Sequence, residues 1–169
     1  SGGTRGDGRV EVGEEGTPDA QLLMTVPSGG LHDAWSTNAA LRAMQPAVDE
    51  DFEIEVKFDS LVTGTTQDQG VLILEDELNW LRFDFFSAGT TLNLYAASTV
   101  AGTSGEVHNE DLGMTTSPTW MRINRAGDLW TLSWSLDGTM FTQATSFSFA
   151  MNVSEAGVYV GNSGPAHTM

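Results

Sequence analysis

Apolar and polar residues alternate along most of this chain. In residues 51–59 (DFEIEVKFD), Phe52, Ile54, Val56 and Phe58 face one way while Glu53, Glu55 and Lys57 face the other. That is the pattern of a strand with one buried face. Residues 80–86 (WLRFDFF) set Leu81, Phe83 and Phe85 against Arg82 and Asp84. Residues 21–26, 91–96, 120–125 and 129–135 repeat the alternation, and the apolar run 69–74 (QGVLIL) reads as a central strand. Gly89, Gly127 and Asp137-Gly138 supply turns, and Phe141, Phe147 and Phe149 lead into a last strand at 157–161. Residues 38–44 read as a short helix and residues 98–105 (STVAGTSG) as a surface loop. About nine or ten short strands with regular turns predict an all-β chain: a two-sheet antiparallel β-sandwich. Phe52, Ile54, Phe83, Phe85, Trp130 and Trp134 are its expected shared core.

Length and composition narrow the function classes. At 169 residues one domain is expected, with residues 1–17 a flexible or incomplete N-terminal segment and 18–169 the sandwich. Asp plus Glu number 23 against 7 Lys plus Arg, a net charge of −16, and Lys57 is the only lysine. Nucleic acid and anionic membrane surfaces are poor partners for such a surface. Salt screens that self-repulsion, so the composition suggests a halophilic setting, although a calcium-rich extracellular one would also tolerate it. Cysteine is absent, which removes disulfides, thiolate metal sites and cysteine nucleophiles. No apolar run approaches the roughly 18 residues of a membrane-spanning helix, and the polar start SGGTRGDG has no signal-peptide pattern.

Candidate chemistry concentrates in residues 31–45 (LHDAWSTNAALRAMQ), where His32, Asp33, Trp35, Asn38, Arg42 and Gln45 stand among small and apolar residues. An aromatic plate with planar amide, guanidinium and carboxylate neighbours suits a neutral polyhydroxylated ligand. The sugar's C–H face stacks on the ring, and its hydroxyls take directional bonds. The same groups would also serve to anchor a long loop.

Several stretches, taken in order, resemble a known family: PSGGLHDAWSTNAALRAMQPAVDEDFEIEVKFDSL, QGVLILEDELNWLRFDFF, WMRINRAGDLWTLSWSLDGTMFTQATSF and GVYVGNSG. They are similar to one branch of the concanavalin A-like jelly rolls. That branch holds the laminin-G-like domains of secreted bacterial and archaeal multidomain proteins and the non-catalytic C-terminal domain of β-xylosidase-type glycosidases. The resemblance implies a concave and a convex sheet, with His32, Trp35, Arg42, Gln45, Gln69, Asn79 and Arg82 on or beside the concave face. It implies a non-catalytic carbohydrate-binding module, extracellular or on the cell surface, with a polysaccharide or glycan and further domains of the same polypeptide as partners. The alternatives are a laminin-G-like protein-interaction or adhesion module and, at lower weight, a jelly-roll glycoside hydrolase. The family's closing strand has no counterpart after GNSGPAHTM, and its opening strand none in SGGTRGDG, so the terminal strands are either missing or contributed differently.

Three further groups need weighing. Asp51, Glu53 and Glu55 share a strand face, as the carboxylates of jelly-roll glucanases do, but Lys57 continues that face and suggests a solvated surface. The turn Glu75-Asp76-Glu77 clusters oxygen ligands that calcium favours, and a structural calcium is common in this fold family; a solvated loop is the simpler reading. Among the tryptophans, Trp130 and Trp134 read as core, Trp120 as an outward-facing ring, and Trp35 and Trp80 as stacking platforms for sugar. With Asp33 these complete the expected binding set; no catalytic set is expected.

Overall fold

The structure is a computed structural model that describes residues 4–5, 8–35, 37–113, 119–163 and 167–169. Every regular element among them is a strand, and every pairing is antiparallel. The larger sheet has seven strands. Its middle is β6 (Gln67–Leu74), β7 (Trp80–Ser87) and β8 (Leu92–Val100), with β9 (Thr103–Asp111) at one edge. On the other side lie β13 (Glu155–Asn162), β4 (Leu41–Pro46) and β1 (Thr4–Arg5).

The opposing layer is divided. One part is a four-stranded sheet of β5 (Phe52–Phe58), β10 (Thr119–Ala126), β11 (Leu129–Ser135) and β12 (Thr142–Ser148), in the order β12-β11-β10-β5. The other is a three-stranded sheet of β2 (Arg9–Gly13), β3 (Gln21–Val26) and β14 (His167–Thr168), in the order β14-β3-β2. Thus residues 9–13, within the segment expected to be flexible or incomplete, pair in register with β3.

Alternation places the core. Val71, Ile73, Leu81, Phe83, Phe85 and Leu94 of the large sheet meet Phe58, Met121, Ile123, Trp130 and Leu132 of the four-stranded sheet. Phe52, Ile54 and Trp134 pack at its margin, half-buried. A smaller cluster, Met24, Val26, Leu41 and Val160, joins the three-stranded sheet to the same face. The large sheet's second face is buried as well. Leu72, Leu74, Trp80 and Tyr159 lie there under Ala34 and Ala40 of the loop that precedes β4. Central strands apolar on both faces follow from cover on both sides.

Two local expectations are corrected. Residues 38–44 are not helical: Leu41–Pro46 is strand β4, held by its ladder to β13. Ala, Leu, Arg and Met favour helix in isolation, but a weak propensity yields to a buried pairing site. Residues 98–105 are not a loop: 98–100 and 103–105 pair as the ends of β8 and β9, and the turn between them is Ala101 (φ 51°) and Gly102 (φ 76°), both in the left-handed region. Two successive positive φ values match the twist of the flanking strands.

Candidate functional site

The second face of the large sheet carries a cavity of about 430 Å³, lined among others by His32, Asp33, Trp35, Asp68, Arg82, Phe86, Tyr95, Glu106, Asn109 and Asn162. Register assembles its floor. Asp68 stands opposite Phe86, Gly70 opposite Asp84 and Asp84 opposite Tyr95, so these residues share the face away from the core. Two glycines leave room for the polar cluster. A Cβ on Gly161 would lie 2.0 Å from Asp68 Oδ1, and one on Gly70 2.7 Å from Asp84 Cβ.

Arg82 is the centre of the floor. Its Nε donates to Asp84 Oδ2 at 2.7 Å and its Nη2 to Asp68 Oδ2 at 3.1 Å. The guanidinium also lies 5.2 Å from the Tyr95 ring centre and 5.9 Å from that of Tyr159. Two carboxylates and two rings therefore fix the fork, and these two bonds take two of the five N–H groups of a side chain that lines the cavity. Burial pushes the Asp68 carboxyl up to about 7; the charges of Asp84 and Asp33 add to this, and Arg82 opposes it. Arg82 stays protonated beside them.

The walls are aromatic and polar. Trp35 and Tyr95 are tilted rings 6.2 Å apart, and Phe86 meets Tyr95 edge-on at 5.5 Å. Burial, with Glu106 nearby, pushes the Tyr95 phenol up to about 12. The loop bearing Trp35 is pinned at three places. Asp33 Oδ1 accepts the Trp35 N–H at 2.5 Å, Ser104 Oγ donates to the Trp35 carbonyl, and Trp80 Nε1 donates to Ala34 O at 3.0 Å. His32 and Asn162 close the far wall. Their backbones form a two-way bridge, and His32 Nδ1 donates to Asn162 Oδ1 at 2.7 Å.

The nine residues expected in the site divide into three groups. His32, Asp33, Trp35 and Arg82 line the cavity. Arg42 and Trp80 share its sheet face but lie beneath the loop: Arg42 donates to Asn38 Oδ1 and pairs with Glu77 at 3.3 Å, and Trp80 is 2% exposed. Trp80 therefore offers no face for stacking. Gln45, Gln69 and Asn79 lie elsewhere. Gln45 is exposed beside the β5 edge, and Gln69 turns toward the core and bonds Ser60. Asn79 holds the 101–102 turn by accepting the Ala101 N–H at 3.0 Å. Phe86, Tyr95, Asp68, Glu106, Asn109 and Asn162 were not singled out from sequence. For Asp68, Phe86 and Tyr95 the signal was a polar or aromatic residue on the non-core face of an apolar strand, whereas Glu106 and Asn109 stand on the polar edge strand β9, which carries no such contrast.

The other carboxylate groups have their own partners. Glu55 and Glu53 lie 2.7 and 3.5 Å from Arg122 on the outer face of the four-stranded sheet, and Asp51 accepts the Gly127 N–H at 2.7 Å. That is the opposite layer from the cavity. Glu75 accepts from Asn152, Asp76 from Leu78 and Asn79, and Glu77 from Arg42. Among the described residues no group of three or more carboxylates and histidines is placed to hold a metal ion. Trp120 is half-buried, with the Lys57 ammonium 5.6 Å from its ring.

No family model matches the chain, and no curated protein is significantly similar to it in sequence. Solved structures are similar in shape. The carbohydrate-binding module CBM66 from Bacillus subtilis superposes with a TM-score of 0.64 at 10% identity, covering 99% of this chain and 91% of that one. The likeness is one of fold. A functionally unknown protein from Saccharomyces cerevisiae reaches 0.78 at 13% identity, over 99% of this chain and 90% of that one. The xylan β-1,4-xylosidase from Bacillus halodurans C-125 reaches 0.62 at 12% identity over 93% of this chain, which spans only 33% of that enzyme.

Proposed function

We propose that this chain is a non-catalytic carbohydrate-binding module of the laminin-G-like, concanavalin A-like branch, carried by an exported multidomain protein. The observation that supports it is a single cavity in which the Trp35–Tyr95–Phe86 wall stands over the clamped Arg82 fork. An apolar wall for the C–H face of a sugar, with fixed donors and acceptors for its hydroxyls, is a preorganised glycan site. The whole-chain likeness to a carbohydrate-binding module agrees with an accessory role, as does the match to only part of a xylosidase.

Affinity electrophoresis against soluble polysaccharides tests the reading. Trp35→Ala should weaken binding of whichever glycan retards the parent by about 1–3 kcal/mol, the range for a desolvated aromatic contact. Glu55→Gln, in the opposite layer, should leave binding unchanged, and the parent should cleave no polysaccharide. A folded Trp35→Ala protein that binds at full strength would remove the cavity as the site. If no polysaccharide retards the parent, the adhesion-module reading takes its place.

A further inference from the structure

The strand at the cavity's open edge is irregular. Along β8–β9, Tyr95 stands opposite Asn109 and Ala96 opposite His108, but Ala97 stands opposite Glu106, so Val107 is an extra residue. Strict alternation would turn Val107 toward the cavity and Glu106 toward the core. The bulge reverses this: Val107 packs against the core cluster, and Glu106 lines the cavity beside Asn109. Bulges at sheet edges commonly re-aim one side chain in this way. Asn109 Nδ2 donates to Glu106 Oε2 at 3.3 Å and Asn93 Nδ2 donates to Asn109 Oδ1 at 2.9 Å, so a short amide chain steadies the carboxylate.

Glu106 thus joins Asp33 and Asp68 around the cavity, while the only arginine lining it among the described residues is already clamped between Asp68 and Asp84. Resting on the glycan reading above, we infer that Glu106 makes the site charge-selective: it accepts uncharged glycans and rejects the same sugars bearing carboxylate or sulfate. The chemistry has two parts. A carboxylate is an acceptor only, so it is satisfied by sugar hydroxyls and not by a second carboxylate. Glu106 is exposed at the cavity's edge, so an anionic group seated beside it is repelled directly, at short range and through solvent.

Matched probes test this: dextran against dextran sulfate, galactan against polygalacturonate, and xylo-oligosaccharides without and with glucuronate branches. Binding is measured to the parent, Glu106→Gln and Glu110→Gln in 0.15 M sodium chloride, where the Debye length is about 8 Å, so a charge seated in the cavity still feels Glu106 while Glu110→Gln reports the general field of the acidic domain. Glu110 is an exposed residue of the same strand that does not line the cavity, so its change alters net charge equally. The expected result is a neutral probe bound about tenfold or more tightly than its anionic counterpart, a factor worth 1.4 kcal/mol. Glu106→Gln should narrow that ratio several-fold and Glu110→Gln should not. An anionic probe bound as well as its neutral partner, or a ratio that Glu106→Gln leaves unchanged, overturns the charge filter while leaving a glycan site standing. Failure of every probe, neutral and anionic, overturns both.

Discussion

Arg82 gives up its mobility to neighbours before any ligand arrives. Bonds at 2.7 and 3.1 Å to Asp84 and Asp68 compensate its buried charge, and each of those carboxylates depends on it in return. Arg82→Ala should therefore destabilise the fold by about 3–5 kcal/mol, the cost of leaving buried charges unpaired. Arg82→Lys should fold better yet bind more weakly, because a point charge cannot reproduce the fork; denaturant titration and affinity electrophoresis on the same preparations separate the two effects. Asp68 adds a pH dependence. Its carboxyl is raised from 3.8 to about 7, so between these values the folded protein holds a proton that the unfolded chain has released. Stability from this group should fall as pH rises from about 4 to about 7 and level off above. Asp68→Asn should remove that slope; melting curves of parent and variant that run parallel over this range would reject the assignment. From sequence, His32, Asp33, Trp35 and Arg82 were legible because polar groups crowd into one loop or interrupt an apolar strand. Tyr95, Glu106 and Asn162 were not, because single residues on separate strands become neighbours only through register.

At the scale of elements, strict period-two runs transferred directly into strands β5, β7, β10 and β11. Reading failed where pattern and propensity parted. The β8–β9 hairpin turns through small residues that need no burial, and its tip is fixed from outside by the Leu78 carbonyl and the Asn79 side chain. The bulge at Val107 has no sequence signature of its own. Close packing beneath the cavity gives a sharper test. A Cβ on Gly70 would lie 2.0 Å from the Phe83 carbonyl oxygen, whereas one on Gly105 would meet nothing within 4 Å. Gly70→Ala should cost about 1–3 kcal/mol or more through overpacking of a central strand, while Gly105→Ala should be close to neutral. Chemical denaturation of the two variants checks the contrast, and equal losses would contradict the register of β6 against β7.

For the whole molecule, a net charge of −16 shapes stability more than any single ion pair. Exposed pairs such as Lys57–Asp59 contribute little, and screening should relieve the collective repulsion. Raising sodium chloride from 10 mM to about 1 M, where the Debye length shrinks from about 30 to about 3 Å, should raise the melting temperature. Chelator must be present, since a bound divalent ion would give the same trend by mass action. A flat or falling melting temperature would count against a salt-adapted surface. The all-β sandwich was legible from alternation alone. The division of its second layer into a four-stranded and a three-stranded sheet was not, because that depends on which edges meet and not on which faces are apolar.

The bridge between His32 and Asn162 joins positions 130 residues apart and closes one wall of the cavity. Closing so long a loop is among the slowest steps open to an all-β chain, so binding competence should be the last property to return on refolding. Tryptophan burial in the core should recover first, and capture of a glycan later. Once seated, the ligand acts as a clasp on the chain's two distant segments. At a hundredfold excess over Kd it adds about 2.7 kcal/mol against any opening that separates them. Hydrogen exchange at residues 32–35 and 160–163 should then slow together, as one cooperative unit that neither segment forms alone.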